Sequence, residues 1–222
     1  MSERSAKGEG RGAGAFSGSM SVLTAESHPR AGTIVLARHG EPALSRKVLL
    51  SATQYVDFWA RYEVMGLLPG QTPPGALKTF VAECGTLVSS TRLRAIESAQ
   101  TVAGARAFER YEILIEAPLP PPMLPGWIKL SPKIWGFLAR FCWWFFNHHD
   151  GQESRAQAEA RADRAAAMLI ELAADGENVV VLAHGFFNHL IGRSLKKLGW
   201  KLTKSEGYKY WSMRRFERPS VS

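Results

Sequence analysis

Cysteine is scarce in this 222-residue chain: Cys84 and Cys142 are the only two, and neither belongs to a CxxC pair. That argues against a disulfide framework or a zinc knuckle and leads us to expect a reducing, cytoplasmic compartment. No apolar run reaches the about 20 residues that a bilayer demands, and the N-terminal stretch lacks the apolar core of a secretory signal. A G-x-x-x-x-G-K-[ST] nucleotide loop is absent. Cys84 stands eight residues ahead of Arg92, too far for the tight loop in which a thiolate and an arginine embrace one phosphate. His148-His149-Asp150 has the composition of a metal site, but adjacent side chains diverge and no ligand spacing stands nearby, so a solvated loop is expected there. The net charge of +8 favours an anionic partner, yet the basic residues are scattered and form no recognition module, so nucleic acid is not the expected one.

What is present suits an ordinary globular domain, with 45% hydrophobic residues. Residues 1–31, rich in glycine and small polar residues, cannot bury enough apolar surface to offset the entropy of ordering and are expected to be a disordered tail. Residues 32–218 are expected to form one domain. Strand signals lie at 33–38, 85–89, 112–116, 178–183 and 208–216. Helical patterns separate them, the clearest at 153–174, where Ala162, Ala165, Ala166, Leu169 and Leu172 share one face. This alternation predicts a three-layer α/β/α sandwich with a mainly parallel sheet and an antiparallel edge strand formed by the last segment.

Two His-Gly steps draw attention within that frame. Ile34-Val35-Leu36 leads into Arg38-His39-Gly40, and Val179-Val180-Val181-Leu182 leads into His184-Gly185, so both histidines are expected at strand carboxyl ends, where open α/β sheets build their sites. Helices at 91–103 and 186–198 follow such strands, with N-termini directed at the same edge. A neutral imidazole can attack phosphorus if its other ring nitrogen is held as a donor. Phosphoryl oxygens need positive charge, and Arg38 and Arg94 offer guanidinium forks from two strand ends, with protonated His184 as a further donor. Such a pocket needs no metal and no cofactor.

Leu36-Ala37-Arg38-His39-Gly40-Glu41, the run SSTRLRAIESAQ from Ser89 to Gln100, and Val181-Leu182-Ala183-His184-Gly185 resemble, in order, the motifs of the histidine phosphatase superfamily, the phosphoglycerate mutase-like fold. The resemblance implies that His39 becomes phosphorylated and that Arg38, Arg94 and His184 form the phosphate pocket. It further implies an acid that protonates the leaving group and then activates water. Glu116 is the candidate for that role, and Glu153, in a segment similar to the family's GES, is the second. The family's Gly-x-Trp-Glu-Gly continuation is replaced after Glu116 by Leu119-Pro120-Pro121-Pro122. The implied activity is that of a metal-independent phosphomonoesterase acting on a phosphorylated small molecule. A phosphoglycerate mutase-like phosphoryl transferase and a non-catalytic phosphate-binding module are the alternatives. Specificity is expected in the insertions 44–83 and 117–150, with Tyr55, Trp59 and Trp127 as possible walls. Within the second insertion, Ile134, Leu138, Phe141 and Phe145 form a helical stripe expected to pack on the body, leaving Trp143, Gly136 and Arg140 outward. Contact of 134–146 with a membrane surface is the lesser alternative.

Overall fold

The computed structural model describes residues 32–219, so the expected tail at 1–31 lies outside the described residues. Six strands form one sheet: β1 (Thr33–Arg38), β2 (Thr86–Ser90), β3 (Glu109–Tyr111), β4 (Val179–Ala183), β5 (Lys201–Ser205) and β6 (Met213–Glu217), in the spatial order β3-β2-β4-β1-β6-β5. The first four are mutually parallel, while β6 runs antiparallel to β1 and β5 antiparallel to β6. The helices are α1 (Ala52–Val64), α2 (Gly75–Glu83), α3 (Leu93–Ala103), α4 (Pro132–Phe146), α5 (Arg155–Leu172) and α6 (Gly185–Lys197).

The strand sequences explain the layering. Every residue of β4 is buried, as a continuous apolar run between two helical layers requires. Alternate residues serve opposite faces. Val35, Ala37, Leu87, Val180 and Leu182 pack with Leu77 and Val81 of α2 and Ala99 of α3. Ile34, Leu36, Val88, Val179 and Val181 pack with Ala162, Ala165 and Leu169 of α5 and Phe187 and Ile191 of α6. The fold is the expected α/β/α sandwich. A third core, built from Tyr55, Phe58 and Tyr62 of α1 and Trp135 of α4, joins the two insertions, and an antiparallel bridge between Leu50 and Leu130 ties them further.

Three local expectations are corrected. The segment 112–116 is no strand: after the three-residue β3, Glu112–Leu114 forms a single 3₁₀ turn. Arg161 of α5 explains it, because its Nη1 donates to the carbonyls of Ile113 and Ile115, both at 2.8 Å, acceptors a strand would offer to a ladder. The final strand is shorter than 208–216 and is not the edge: β6 lies between β1 and β5. The true edge, Lys201-Leu202-Thr203-Lys204-Ser205, is exposed throughout and carries one apolar residue, so it shows no buried face, and its lysines guard the open edge. Finally, α4 is rotated from its expected orientation. Trp135, Ala139 and Trp143 are buried, whereas Ile134, Phe137, Phe141 and Phe145 are exposed. Ala139 lets the helix approach closely, and each indole reaches a carbonyl, Trp135 Nε1 donating to Leu50 O at 2.6 Å and Trp143 Nε1 to Glu153 O at 3.0 Å, as buried tryptophans require.

Candidate active site

The parallel strands β1, β2 and β4 deliver their carboxyl ends side by side, and the candidate residues gather there. His39 follows β1 and is buried; its backbone N–H donates to Ala183 O at 2.9 Å. Its Nδ1 lies 2.6 Å from Gly40 O. A carbonyl can only accept, so Nδ1 carries the hydrogen and Nε2 keeps its lone pair. Gly40 is itself pinned: its N–H donates to Ser98 Oγ at 2.9 Å, and that hydroxyl donates to Arg94 O at 2.6 Å. A Cβ on Gly40 would stand 2.4 Å from the Trp211 ring, so only glycine fits this approach.

His184 is fully buried at the N-cap of α6, and its ring meets that of His39 edge-on with centroids 5.2 Å apart. Its Nε2 is 2.7 Å from Ser90 Oγ, and Nη2 of Arg94 donates toward Nδ1 at 3.4 Å. Arg94, in the first turn of α3, is also buried. Its Nη1 donates to the carbonyls of Tyr62 and Glu63 at the end of α1, and its Nη2 forms a 2.9 Å ion pair with the Glu63 carboxylate. Arg38 donates to Tyr208 O and lies 4.3 Å over the Tyr210 ring. The Nε–H groups of Arg38 and Arg94 have no protein partner among the described residues.

Charge and burial act together on the imidazoles. Burial and the guanidinium groups of Arg94, Arg38 and Arg46 hold His39 well below the usual histidine range, the bond to Gly40 O opposing only part of this. His184 is depressed in the same way, first by burial and then by Arg94, His39, Arg92 and Arg38. Both rings are therefore neutral at pH 7.

A cavity of about 280 Å³ opens over this centre, lined by Arg38, His39, Arg94 and Glu116 and, from the insertions, by Arg46, Tyr55, Trp59, Lys133 and Arg140. Glu116 faces it from the loop after the 3₁₀ turn. Its carboxylate accepts from the backbone N–H of Phe187 at 2.8 Å and of Phe186 at 3.3 Å, the donors a helix N-terminus leaves free. His184 does not line the cavity; it stands behind His39 and Arg94. Glu153 is elsewhere, paired through both oxygens with Arg161 at 2.7 Å, and through that arginine it steadies the segment leading to Glu116. Trp127 does not line the cavity and is 80% exposed. Arg46, Glu63, Lys133 and Arg140 join the site without a motif that marks them in the sequence. The basic residues of the two insertions were the available signal, without any spacing to tie them to His39. Among the described residues, no group of three or more His, Cys, Asp or Glu is placed to hold a metal ion.

Comparison with known proteins gives a consistent picture. Residues 75–218 match the histidine phosphatase superfamily (branch 1); Arg38-His39-Gly40 precedes the matched stretch and joins it through the pairing of β1 with β4. A search of curated proteins finds no significant match. Among solved structures, the product of an open reading frame of Mycobacterium tuberculosis is 18% identical and superposes with a TM-score of 0.54 over 86% of this chain and 94% of that one. Phosphoglycerate mutase from Bacillus anthracis is 18% identical, with a TM-score of 0.53 over 87% and 94%. Phosphoserine phosphatase from Entamoeba histolytica, solved with 3-phosphoglyceric acid, is 15% identical, with a TM-score of 0.50 over 85% and 98%. At these identities the likeness is one of fold.

Proposed function

Because the chain belongs to the histidine phosphatase superfamily, we propose that it is a metal-independent phosphomonoesterase with His39 as its nucleophile. The observation that carries this reading is the fixed tautomer of His39: Nδ1–H is held by Gly40 O, which leaves the Nε2 lone pair available in a cavity lined by Arg38 and Arg94. Depression of its pKa keeps that lone pair unprotonated at neutral pH and below.

In the proposed first step, Nε2 attacks phosphorus, the P–O bond to the leaving group breaks, and Glu116 supplies the proton that the departing oxygen takes up. In the second, Glu116 removes a proton from water, the resulting hydroxide attacks phosphorus, and the P–Nε2 bond breaks to release inorganic phosphate. Arg38 and Arg94 oppose the charge on the transferring oxygens. His184, whose ring lies against that of His39 and whose Nδ1 accepts from Arg94, holds both residues in place behind the pocket. Guanidinium groups thus occupy the electrostatic role that a metal plays elsewhere. The substrate is a phosphorylated small molecule, and the two free cysteines support a cytoplasmic setting.

The test is phosphate release from para-nitrophenyl phosphate and a panel of phosphorylated metabolites in EDTA, with His39→Ala beside the wild type. Turnover that survives chelation and vanishes in the variant supports the reading. Equal background from both proteins removes it and leaves a narrow mutase or a binding module.

A further inference from the structure

The outward face of α4 is unusual in what it shows to solvent. Phe137 and Phe145 are 68% and 67% exposed, and Phe141 is 43% exposed. Between this face and the first turns of α6 runs an apolar groove of about 290 Å³, formed by Phe137, Phe141, Trp144, Phe145 and Phe186. The groove adjoins the phosphate site. Phe137 and Arg140 border both the groove and the cavity over His39. A connecting cavity of about 300 Å³ runs from Arg38 and Glu116 to Phe186 and His189.

The polar groups along this path are turned toward neighbours. His189 Nδ1 pairs with the Tyr208 hydroxyl at 3.0 Å, and the Arg140 guanidinium lies 4.2 Å over the Phe186 ring. Beyond them the groove offers carbon. The molecule therefore presents a cationic pocket at one end of the path and an open aromatic trough at the other.

We propose that the substrate is an amphiphilic phosphomonoester, its phosphate at His39 and an apolar alkyl chain laid along the groove between α4 and α6. This rests on the phosphomonoesterase reading and names the substrate class of the same site. The occupant follows from complementarity: an anionic head meets the arginines, and an uncharged chain covers phenylalanines that are otherwise left to water.

The experiment compares kcat/KM for ethyl, butyl, hexyl and octyl phosphate, the longest kept below its micelle concentration, in the wild type and in the double variant Phe141→Ser, Phe145→Ser. A fully buried methylene is worth about fourfold, and a groove open on one side about half of that free energy, or twofold. The six methylenes separating ethyl from octyl then predict a preference of about 60-fold, collapsing to about fivefold or less in the double variant. Binding of octylphosphonate against ethylphosphonate reads the groove without turnover and should show the same ratio. Hydrolysis of para-nitrophenyl phosphate without chain-length dependence overturns the tail site while leaving the phosphomonoesterase intact. Chain-length-dependent phosphonate binding without any turnover keeps the tail site and removes the phosphatase. A double variant that retains the wild-type ratio also overturns the proposal. Finally, octyl phosphate is presented in phosphatidylcholine vesicles that are then sedimented. Turnover with the protein left in the supernatant supports the tail site as a receptor for free amphiphile, and turnover with the protein in the pellet supports it as working at the bilayer surface.

Discussion

Replacing Arg94 with methionine keeps much of the side-chain volume and removes the charge, and the structure dictates two separable consequences. The first is stability. Arg94 is 1% exposed and satisfies the Tyr62 and Glu63 carbonyls together with the Glu63 carboxylate, itself only 19% exposed. Breaking a buried ion pair by removing one partner costs about 3–5 kcal/mol, so a loss of about 3 kcal/mol is expected by urea denaturation, at the low end because solvent reaches Glu63. The second is catalysis. Removing one fixed donor from a transition state of this kind costs about 100- to 1,000-fold in kcat. The two are separated by assaying well below the melting temperature of the variant. Arg94 also depresses both His39 and His184, so NMR titration of the variant should show both pKa values moving up. A variant that keeps kcat within about fivefold of wild type, with unshifted histidines, would refute the placement of Arg94 in the phosphate site.

Three further outcomes are expected. His39 and His184 have folded pKa values below the unfolded 6.5; above pH 6.5 they contribute nothing, whereas below it the unfolded chain takes up protons that the fold cannot. Stability should then fall on acidification by up to about 1.4 kcal/mol per pH unit for each ring, and His39→Ala should halve that slope in pH-dependent melts. Ser98→Ala leaves the buried Gly40 N–H without its acceptor, costing about 1–3 kcal/mol and lowering kcat more than it raises KM, since Gly40 O holds the His39 tautomer. Trp143→Ala should cost about 3–5 kcal/mol in denaturant unfolding, whereas Phe145→Ala, on the exposed face of the same helix, should stay within about 0.5 kcal/mol.

These expectations show which parts of the molecule are written locally. His39 and His184 follow short apolar runs closed by glycine, and a buried parallel strand leaves that mark in sequence because both its faces need carbon. The alanine face likewise announces α5. Where long-range partners decide the outcome, local pattern misleads. Glu112 to Glu116 carries the short apolar run of a strand, Ile113-Leu114-Ile115, but Arg161 takes its carbonyls. Counting apolar residues on α4 selects the phenylalanine stripe, whereas burial follows the side on which Ala139 permits close approach and two indoles find carbonyls. The Glu63 anchor of Arg94, and the basic rim of Arg46, Lys133 and Arg140, come from insertions with no fixed spacing to His39, so only the folded chain brings them to the pocket.

The most direct test of the account is to mix the protein with a turned-over phosphomonoester, quench rapidly at alkaline pH, where phosphohistidine survives, and map the added phosphoryl group by mass spectrometry. Glu116→Gln is run in parallel with para-nitrophenyl phosphate, whose leaving group departs without a proton, so that only hydrolysis of the intermediate is slowed. The account predicts a single phosphorylated histidine, His39, more abundant in Glu116→Gln and absent from His39→Ala. Turnover with no phosphohistidine, or with the phosphoryl group on another residue, would contradict it.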